Sequence, residues 1–185
     1  MGAIFKIAYD ITMGHEGDYA NNPKDTGGET WKGVARNKNP KWGGWTIVDQ
    51  LRKQKGFPGN LATSEELQVF VLDLYKKQYW DCYQLDKVNS QSIANEIFDT
   101  GVNMGTGTAS KFLQRAINVV TSDNLTVDGG IGTKTLTSVN SLNDSKVKLV
   151  VKVLNVLQGS YYIDLVERKP EQRIFVPSWF SRVNL

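Results

Sequence analysis

The chain has 185 residues, an ordinary apolar fraction and a formal charge of +3, enough for a compact core without covalent staples. So small a net charge argues against a dedicated nucleic-acid binder. The single histidine, His15, precludes a zinc site of usual composition, and the single cysteine, Cys82, precludes an internal disulfide.

Taken in order, Ile4, Phe5, Ile7, Ala8 and Ile11 predict an amphipathic helix near 4–13 with that stripe on the core, and Gly14 is a reasonable stop. The first residues lack a basic start, an unbroken apolar centre and a cleavage site, so no secretory signal is expected. Glu16 then falls just past a helix C-terminus, where the dipole and partial burial both raise a carboxyl pKa, as a general acid requires. The following loop is rich in Gly, Asn and Asp and supplies a second carboxylate, Asp25, and a hydroxyl, Thr30. Such a loop is costly to order and buries little, and loops on rigid scaffolds carry a disproportionate share of binding and catalytic groups. His15 reads either as a hydrogen-bonding neighbour of Glu16 or as a satisfied structural side chain.

Residues 32–55 carry Lys32, Arg36, Lys38, Lys41, Arg52, Lys53 and Lys55 against Asp49 alone, interleaved with Trp31, Trp42 and Trp45. Aromatic planes beside cations can stack on sugars or bases. An anionic cell-wall polymer is the better functional candidate; a solvated basic loop with one or two tryptophans packed inward is the structural alternative. Asn39-Pro40, Gly43-Gly44 and Phe57-Pro-Gly59 predict mostly loop with short helical turns.

Thr63-Ser-Glu-Glu66 reads as a capping box opening a helix on which Leu67, Phe70, Val71, Leu74 and Tyr75 share a face to about Gln78. Tyr79 and Trp80 follow, and Cys82 beside Trp80 and Tyr83 reads as a buried small hydrophobe. Ile93, Ala94, Ile97 and Phe98 predict a helix from Ser90 or Ser92, running into Asp99 and Asn103. A third runs through Ala109, Phe112, Leu113, Ala116, Ile117 and Val120. Asp128-Gly-Gly lacks the further ligands of a calcium loop and predicts a turn held by the Asp side chain, with Thr133 capping a short helix to Asn140. From Asp144 to about Val166 the chain is valine-rich, yet Val147, Val150, Val151, Leu154, Leu157 and Tyr161 recur at helical intervals over a length no ordinary strand reaches. A last helical turn is expected over Ser178–Arg182.

Glu16-Gly-Asp-Tyr19, Asn22-Pro-Lys-Asp25, Gly27-Gly-Glu-Thr30 and Lys32-Gly33 resemble the signature of the glycoside hydrolase family 108 muramidases of the lysozyme superfamily. Phe112-Leu-Gln-Arg-Ala-Ile-Asn118 and Val127-Asp-Gly-Gly-Ile-Gly-Thr-Lys-Thr-Leu136 resemble the small helical peptidoglycan-binding domain that follows in that family, some of whose members are labelled secretion activators. The resemblance implies that Glu16 is the acid catalyst, with Asp25 and Thr30 its catalytic partners. Asp25 fits the eight-residue interval of phage lysozymes, Thr30 comes one residue early, and Asp18 stands where a second Gly is usual. It also implies that Tyr19, Trp80, Asp99 and Asn103 border the substrate groove; in structural terms aromatics placed like Trp80 are mostly core, and Asp99 and Asn103 could equally brace the turn at Gly105.

The resulting expectation is a mainly α, lysozyme-like fold with at most a short β-hairpin in 17–35, a catalytic lobe over 1–88 and a peptidoglycan-binding lobe over 89–185. The expected reaction is hydrolysis of the bond between N-acetylmuramic acid and N-acetylglucosamine, without metal or cofactor. Peptidoglycan strands are the expected partner, with no nucleic acid, no stable membrane insertion and a monomeric state. The protein is expected to be made in the cytoplasm and to reach the wall after release or assisted export. The alternatives are a lytic transglycosylase and a non-catalytic wall-binding secretion accessory.

Overall fold

The computed structural model describes residues 2–14, 18–21 and 27–184, so Glu16, Asp25 and His15 lie outside the described residues. Among the described residues the chain is mainly α, with eight helices and one small antiparallel sheet. It forms two compact units, residues 16–78 and residues 1–15 with 79–185.

In the first unit, β1 (Tyr19–Asn21), β2 (Glu29–Trp31) and β3 (Val34–Ala35) lie in sequence order. The expected hairpin is thus a three-stranded sheet, in register Ala20↔Thr30 and Thr30↔Ala35. The turn between β2 and β3 is Lys32-Gly33, with φ of 42° and 76°, the two positive angles a tight hairpin turn needs to match strand twist. Lysine adopts that conformation reluctantly. It is held there on both sides: Lys32 N–H donates to Asp18 O at 2.8 Å, and Tyr75 Oη donates to Lys32 O at 2.8 Å.

The section punctuated by Asn39-Pro40, Gly43-Gly44 and Phe57-Pro-Gly59, expected to be mostly loop with short helical turns, contains α2 (Gly44–Leu51), which buries Trp45, Ile47 and Val48. Helix α3 (Glu65–Tyr79) buries Leu67, Val71, Leu74 and Tyr75 as its periodicity requires. Its cap is one residue later than the Thr63 capping box predicts. Ser64 Oγ accepts Leu67 N–H, while Thr63 Oγ1 donates back to Asn60 O.

The second unit is built on α4 (Gln91–Met104), which contacts α1 (Phe5–Met13), α5 (Thr106–Val120) and α7 (Asp144–Arg168). Ile93, Ala94, Ile97 and Phe98 are fully buried and Ser90 Oγ accepts Ile93 N–H, as the sequence predicts. Helix α1 faces the core differently from expectation. Phe5, Ala8, Tyr9 and Thr12 turn inward, leaving Ile4, Ile7 and Ile11 exposed. The rings decide it: Phe5 meets Trp80 and Phe98 edge-on at 5.6 and 5.7 Å, and an aromatic buries more area than an isoleucine. Gln91 fixes the start of α1, accepting Ile4 N–H at 2.7 Å and donating to Ile4 O at 3.1 Å. These contacts place the first helix and residues 79–88 with the C-terminal half, so packing divides the chain differently from the motif boundary at 88/89.

Helix α7 is the predicted spine, packing Val150, Leu154, Gln158 and Tyr162 inward. Its valines form helix because their tertiary partners reward one face, overriding a weak local preference for strand. By length and composition alone it could cross a membrane; here one face of it is core. Between α5 and α6 (Thr133–Asn140), two side chains one turn apart on α5 pin the polar loop. Gln114 binds Asp128 Oδ1, Gly129 N–H and Gly130 O, and Asn118 binds Leu125 on both its N–H and its carbonyl. Asp128 also accepts Gly130 N–H, the expected turn. Thr133 is the first helical residue of α6 and not its cap, which is Gly132. The final helix, α8 (Val176–Phe180), starts before the predicted turn and stacks Trp179 on Tyr162 at 5.0 Å.

Candidate active site

The signature segment is mounted on two elements that the structure describes. Glu16 lies in the link between the end of α1 at Met13 and the start of β1 at Tyr19; Asp25 lies in the link between β1 and β2, whose ends Asn21 and Glu29 pair across the sheet. The geometry of the two carboxylates themselves falls outside the described residues.

Strand alternation sorts the described signature residues. Tyr19, Glu29, Trp31 and Val34 project to one face, and Ala20, Thr30 and Ala35 to the other, so the sheet does not bring Tyr19 and Thr30 together. Thr30 is half-buried between two alanines, and its hydroxyl donates to Gly28 O at 3.3 Å. Tyr19 instead joins a charged cluster. Its hydroxyl donates to Glu29 Oε1 at 3.0 Å, and its ring packs edge-on against Phe57 at 5.0 Å. Burial and the adjoining Glu29 carboxylate push its phenol pKa up.

The centre of that cluster is Glu29, a buried carboxylate that composition and spacing did not single out. Arg36 Nε donates to Glu29 Oε2 at 2.7 Å, and Arg52 Nη2 donates to Glu29 Oε1. Arg36 also grips Asp49 with both Nη atoms, at 3.1 and 2.6 Å. That paired hydrogen bond holds the Asp49 carboxyl below its ordinary pKa. The cations then lie on aromatic faces, Arg36 over Trp45 at 4.4 Å and Arg52 over Phe57 at 5.0 Å. Most of the interleaving of cations and aromatics in 31–57 is thus satisfied within the chain, with Trp31 and Trp45 packed inward and Trp42 half-exposed. The Glu29–Arg36 half was legible: once Lys32-Gly33 is read as a two-residue turn, Arg36 falls opposite Glu29, and its N–H donates to Glu29 O at 2.8 Å. Arg52 required α2, whose glycines read as breakers.

In the helical unit, Trp80 is only 1% exposed and packs between Phe5 and Phe98, so the groove position implied for it is replaced by a core position. Asp99 and Asn103 do come together, Asn103 Nδ2 donating to Asp99 O at 2.9 Å and to Asp99 Oδ2 at 3.4 Å. Asp99 is further engaged by Arg182 Nη1 at 2.7 Å and Gln158 Nε2 at 3.2 Å, in an ion pair whose side chains are 13% and 4% exposed. A carboxylate so held braces α4, α7 and the C-terminal residues.

One turn before it, Glu96 lines a small cavity with Ile11, Asn95, Asp99, Arg182 and Asn184. Burial, reinforced by the Asp99 charge and opposed by a hydrogen bond from Asn155, pushes its carboxyl up to about 7. No local pattern marks Glu96, because its partners come from α7 and the chain's end.

Cys82, expected to be buried, is exposed on a single 3-10 turn, Asp81–Tyr83, that sends Trp80 and Tyr83 inward instead; its surroundings and Asp81 push the thiol pKa up. Among the described residues no group of three or more His, Cys, Asp or Glu side chains could hold a metal ion.

Comparison with known proteins extends these observations. The family model described as Glycosyl hydrolase 108 matches residues 9–105, and one described as "Predicted Peptidoglycan domain" matches residues 108–184. No curated protein matches the chain. Among solved structures, that of Brucella abortus SagA is similar over 97% of this chain and 88% of that chain, with a TM-score of 0.63 and 22% identity, a likeness of fold. With more than half of its residues matched, and the helix end and hairpin of the sequence signature inside the match, the chain belongs to the glycosyl hydrolase 108 family and carries a peptidoglycan domain behind it.

Proposed function

We propose that this glycoside hydrolase is an N-acetylmuramidase, cleaving between N-acetylmuramic acid and N-acetylglucosamine in peptidoglycan. In this reading Glu16 protonates the glycosidic oxygen, while Asp25 orients water or stabilises the oxocarbenium-like charge that develops as the bond breaks. Thr30, half-buried and in the middle strand, is the hydroxyl that assists them. The carrying observation is the mounting of the signature: the Glu16 segment leaves a helix end, and the Asp25 segment is closed by the Asn21↔Glu29 pair, whose Glu29 is gripped by two arginines. That brace fixes the two ends, Asn21 and Glu29, between which Asp25 falls in the sequence, and held ends lower the entropic cost of positioning a catalytic group.

The test is mass spectrometry of purified peptidoglycan digested by the protein. New reducing muramic ends support hydrolysis. Anhydromuramic ends would make the enzyme a lytic transglycosylase, and the absence of new ends would leave a binding protein. Asp25→Asn should lower turnover while leaving adsorption to insoluble wall intact, because its charge is needed chiefly in the transition state. Unchanged turnover with weaker adsorption would remove Asp25 from the chemistry.

A further inference from the structure

Part of the basic, tryptophan-bearing stretch remains uncommitted once the internal pairs are assigned. Arg36 and Arg52 are held by Glu29 and Asp49, and Lys32 Nζ donates to Gln68 Oε1 at 3.0 Å. Lys38 and Lys41 are exposed, and neither has a partner of opposite charge among the described residues. Both line a cleft of about 380 Å³ within the sheet-bearing unit, together with Pro40, Trp42, Leu74 and Lys77. Asp73, the single carboxylate of that lining, is paired with Lys77 at 2.8 Å, so the cleft keeps a net positive charge.

Its aromatic wall is held in place. Trp42 Nε1 donates to Phe70 O at 3.2 Å, and the ring stands edge-on to Trp45 at 5.0 Å and to Phe70 at 6.5 Å. A β-carbon on Gly44 would come within 2.4 Å of the indole, so the ring rests directly on the backbone that opens α2. Gln78 Nε2 donates to Asn39 Oδ1 at 3.3 Å, tying the two walls together. A half-exposed indole already fixed on three sides loses little freedom on binding, and the volume falls in the usual range for a ligand cleft, roughly 300–1,000 Å³.

We infer that this cleft binds a carboxylate-bearing sugar–peptide unit of peptidoglycan, Trp42 and Pro40 taking an apolar sugar face and Lys38 and Lys41 the free carboxylates of the attached peptide. The inference rests on the reading of peptidoglycan as the polymer, and adds a holding site on the sheet-bearing unit separate from the peptidoglycan domain at 108–184. Sugar rings offer C–H faces that suit an indole, and exposed lysines suit charges that remain partly in water. A nucleic acid would ask for more cations than two.

The experiment follows the Trp42 indole N–H signal by NMR, assigned with Trp42→Phe, in full-length Glu16→Gln protein. The probes are a soluble disaccharide–tetrapeptide and the same compound with its carboxyls amidated. The Trp42 signal should shift and saturate with the free acid. Each exposed charge contact contributes up to about fivefold in affinity, so amidation, or the pair Lys38→Gln and Lys41→Gln, should weaken binding by about tenfold. Salt near 1 M, where the Debye length is about 3 Å, should do the same. The lysines are exposed, so folding should survive; single Lys41→Glu gives an independent probe if the pair is impaired. A Trp42 signal that ignores the free acid, that shifts equally with the amidated form, or that responds to a phosphate-bearing wall polymer or a single-stranded oligonucleotide in preference, overturns the inference. Because the readout uses the Glu16→Gln protein and needs no turnover, failure of the muramidase reading leaves the binding result intact.

Discussion

In residues 16–78 a buried glutamate sits among arginines in a sheet of two- and three-residue strands, whereas in residues 1–15 and 79–185 a nearly buried aspartate sits at the end of a helical apolar core. The contrast lies in what surrounds the charge. Around Asp99, residues such as Ile93, Ile97, Phe98, Leu113, Ile117 and Val150 are wholly removed from water, and the Arg182 pair is an addition to a core that already exists. Around Glu29 the partners Arg36 and Arg52 are about a third exposed and Asp49 is half exposed, so each pair alone is weak and the cluster works as a network with the cation–aromatic contacts. Both units bury apolar side chains, but one that also relies on half-exposed pairs should open before one whose ion pair is itself nearly buried. The unit expected to open first is also the one that carries the signature segment.

The largest expected effect separates chemistry from architecture altogether. Glu16→Gln keeps the shape and removes the proton donor, a loss of general-acid catalysis worth about 10² to 10⁴ in rate. Release of reducing ends from wall substrate should fall by that factor while thermal unfolding of both units is unchanged. Near wild-type release would remove Glu16 from its role.

Next comes the helical unit. Arg182→Met leaves the Asp99 carboxylate with only the weaker amide donors of Gln158 and Asn103, and stranding one partner of a buried pair costs roughly 3–5 kcal/mol. Urea unfolding followed by helical circular dichroism should register it, and adding Asp99→Asn should restore part. A loss below about 1 kcal/mol would mean that this pair is no stronger than a surface one.

Glu29→Gln should cost less, about 1–3 kcal/mol, because Arg36 and Arg52 can turn to water once their shared acceptor is neutral. It should act on one unit alone. Tryptophan fluorescence, to which the buried Trp31 and Trp45 contribute, should report earlier unfolding, while the helical transition stays in place. Coincident movement of both transitions would show that the two units unfold together.

The same contrast explains which parts were legible from residues alone. Helix periodicity survives translation into structure wherever apolar side chains are the larger ones on their face, as in α3, α4 and α5; in α7 Val150 and Leu154 are buried as expected, but further along Gln158 and Tyr162 take the core positions in place of Leu157 and Tyr161. It misled at α1, where two apolar edges compete and only the positions of Trp80 and Phe98 decide that Phe5 and Tyr9 go inward. Helix α2 hid behind Gly43-Gly44, because Gly44 answers to the Trp42 ring and not to local propensity. In the site, motif resemblance named Glu16, Asp25 and Thr30, but the Glu29 cluster needed a turn and an unrecognised helix. Trp80 takes the core position that its residue type favours over the groove position the resemblance implied, and Cys82 is exposed because a single 3-10 turn decides which of adjacent side chains faces the core.

In pH dependence the two units should respond with opposite sign. Glu96 has its carboxyl raised to about 7, chiefly by burial. An unfolded glutamate titrates near about 4.3, so between these values the folded state binds more protons than the unfolded one. The contribution of Glu96 to stability is therefore complete in acid and is lost as pH rises toward about 7. Asp49 runs the other way: held below the usual carboxylate range by Arg36, it contributes at neutral pH and fails only as acid protonates it through that lowered value. Unfolding measured between about pH 5 and pH 8 should show the helical transition weakening as pH rises, and Glu96→Gln should flatten that slope without moving the fluorescence transition of the sheet-bearing unit. A helical transition as steep in Glu96→Gln as in the wild type would assign the slope to other groups and leave the Glu96 carboxyl ionised throughout that range.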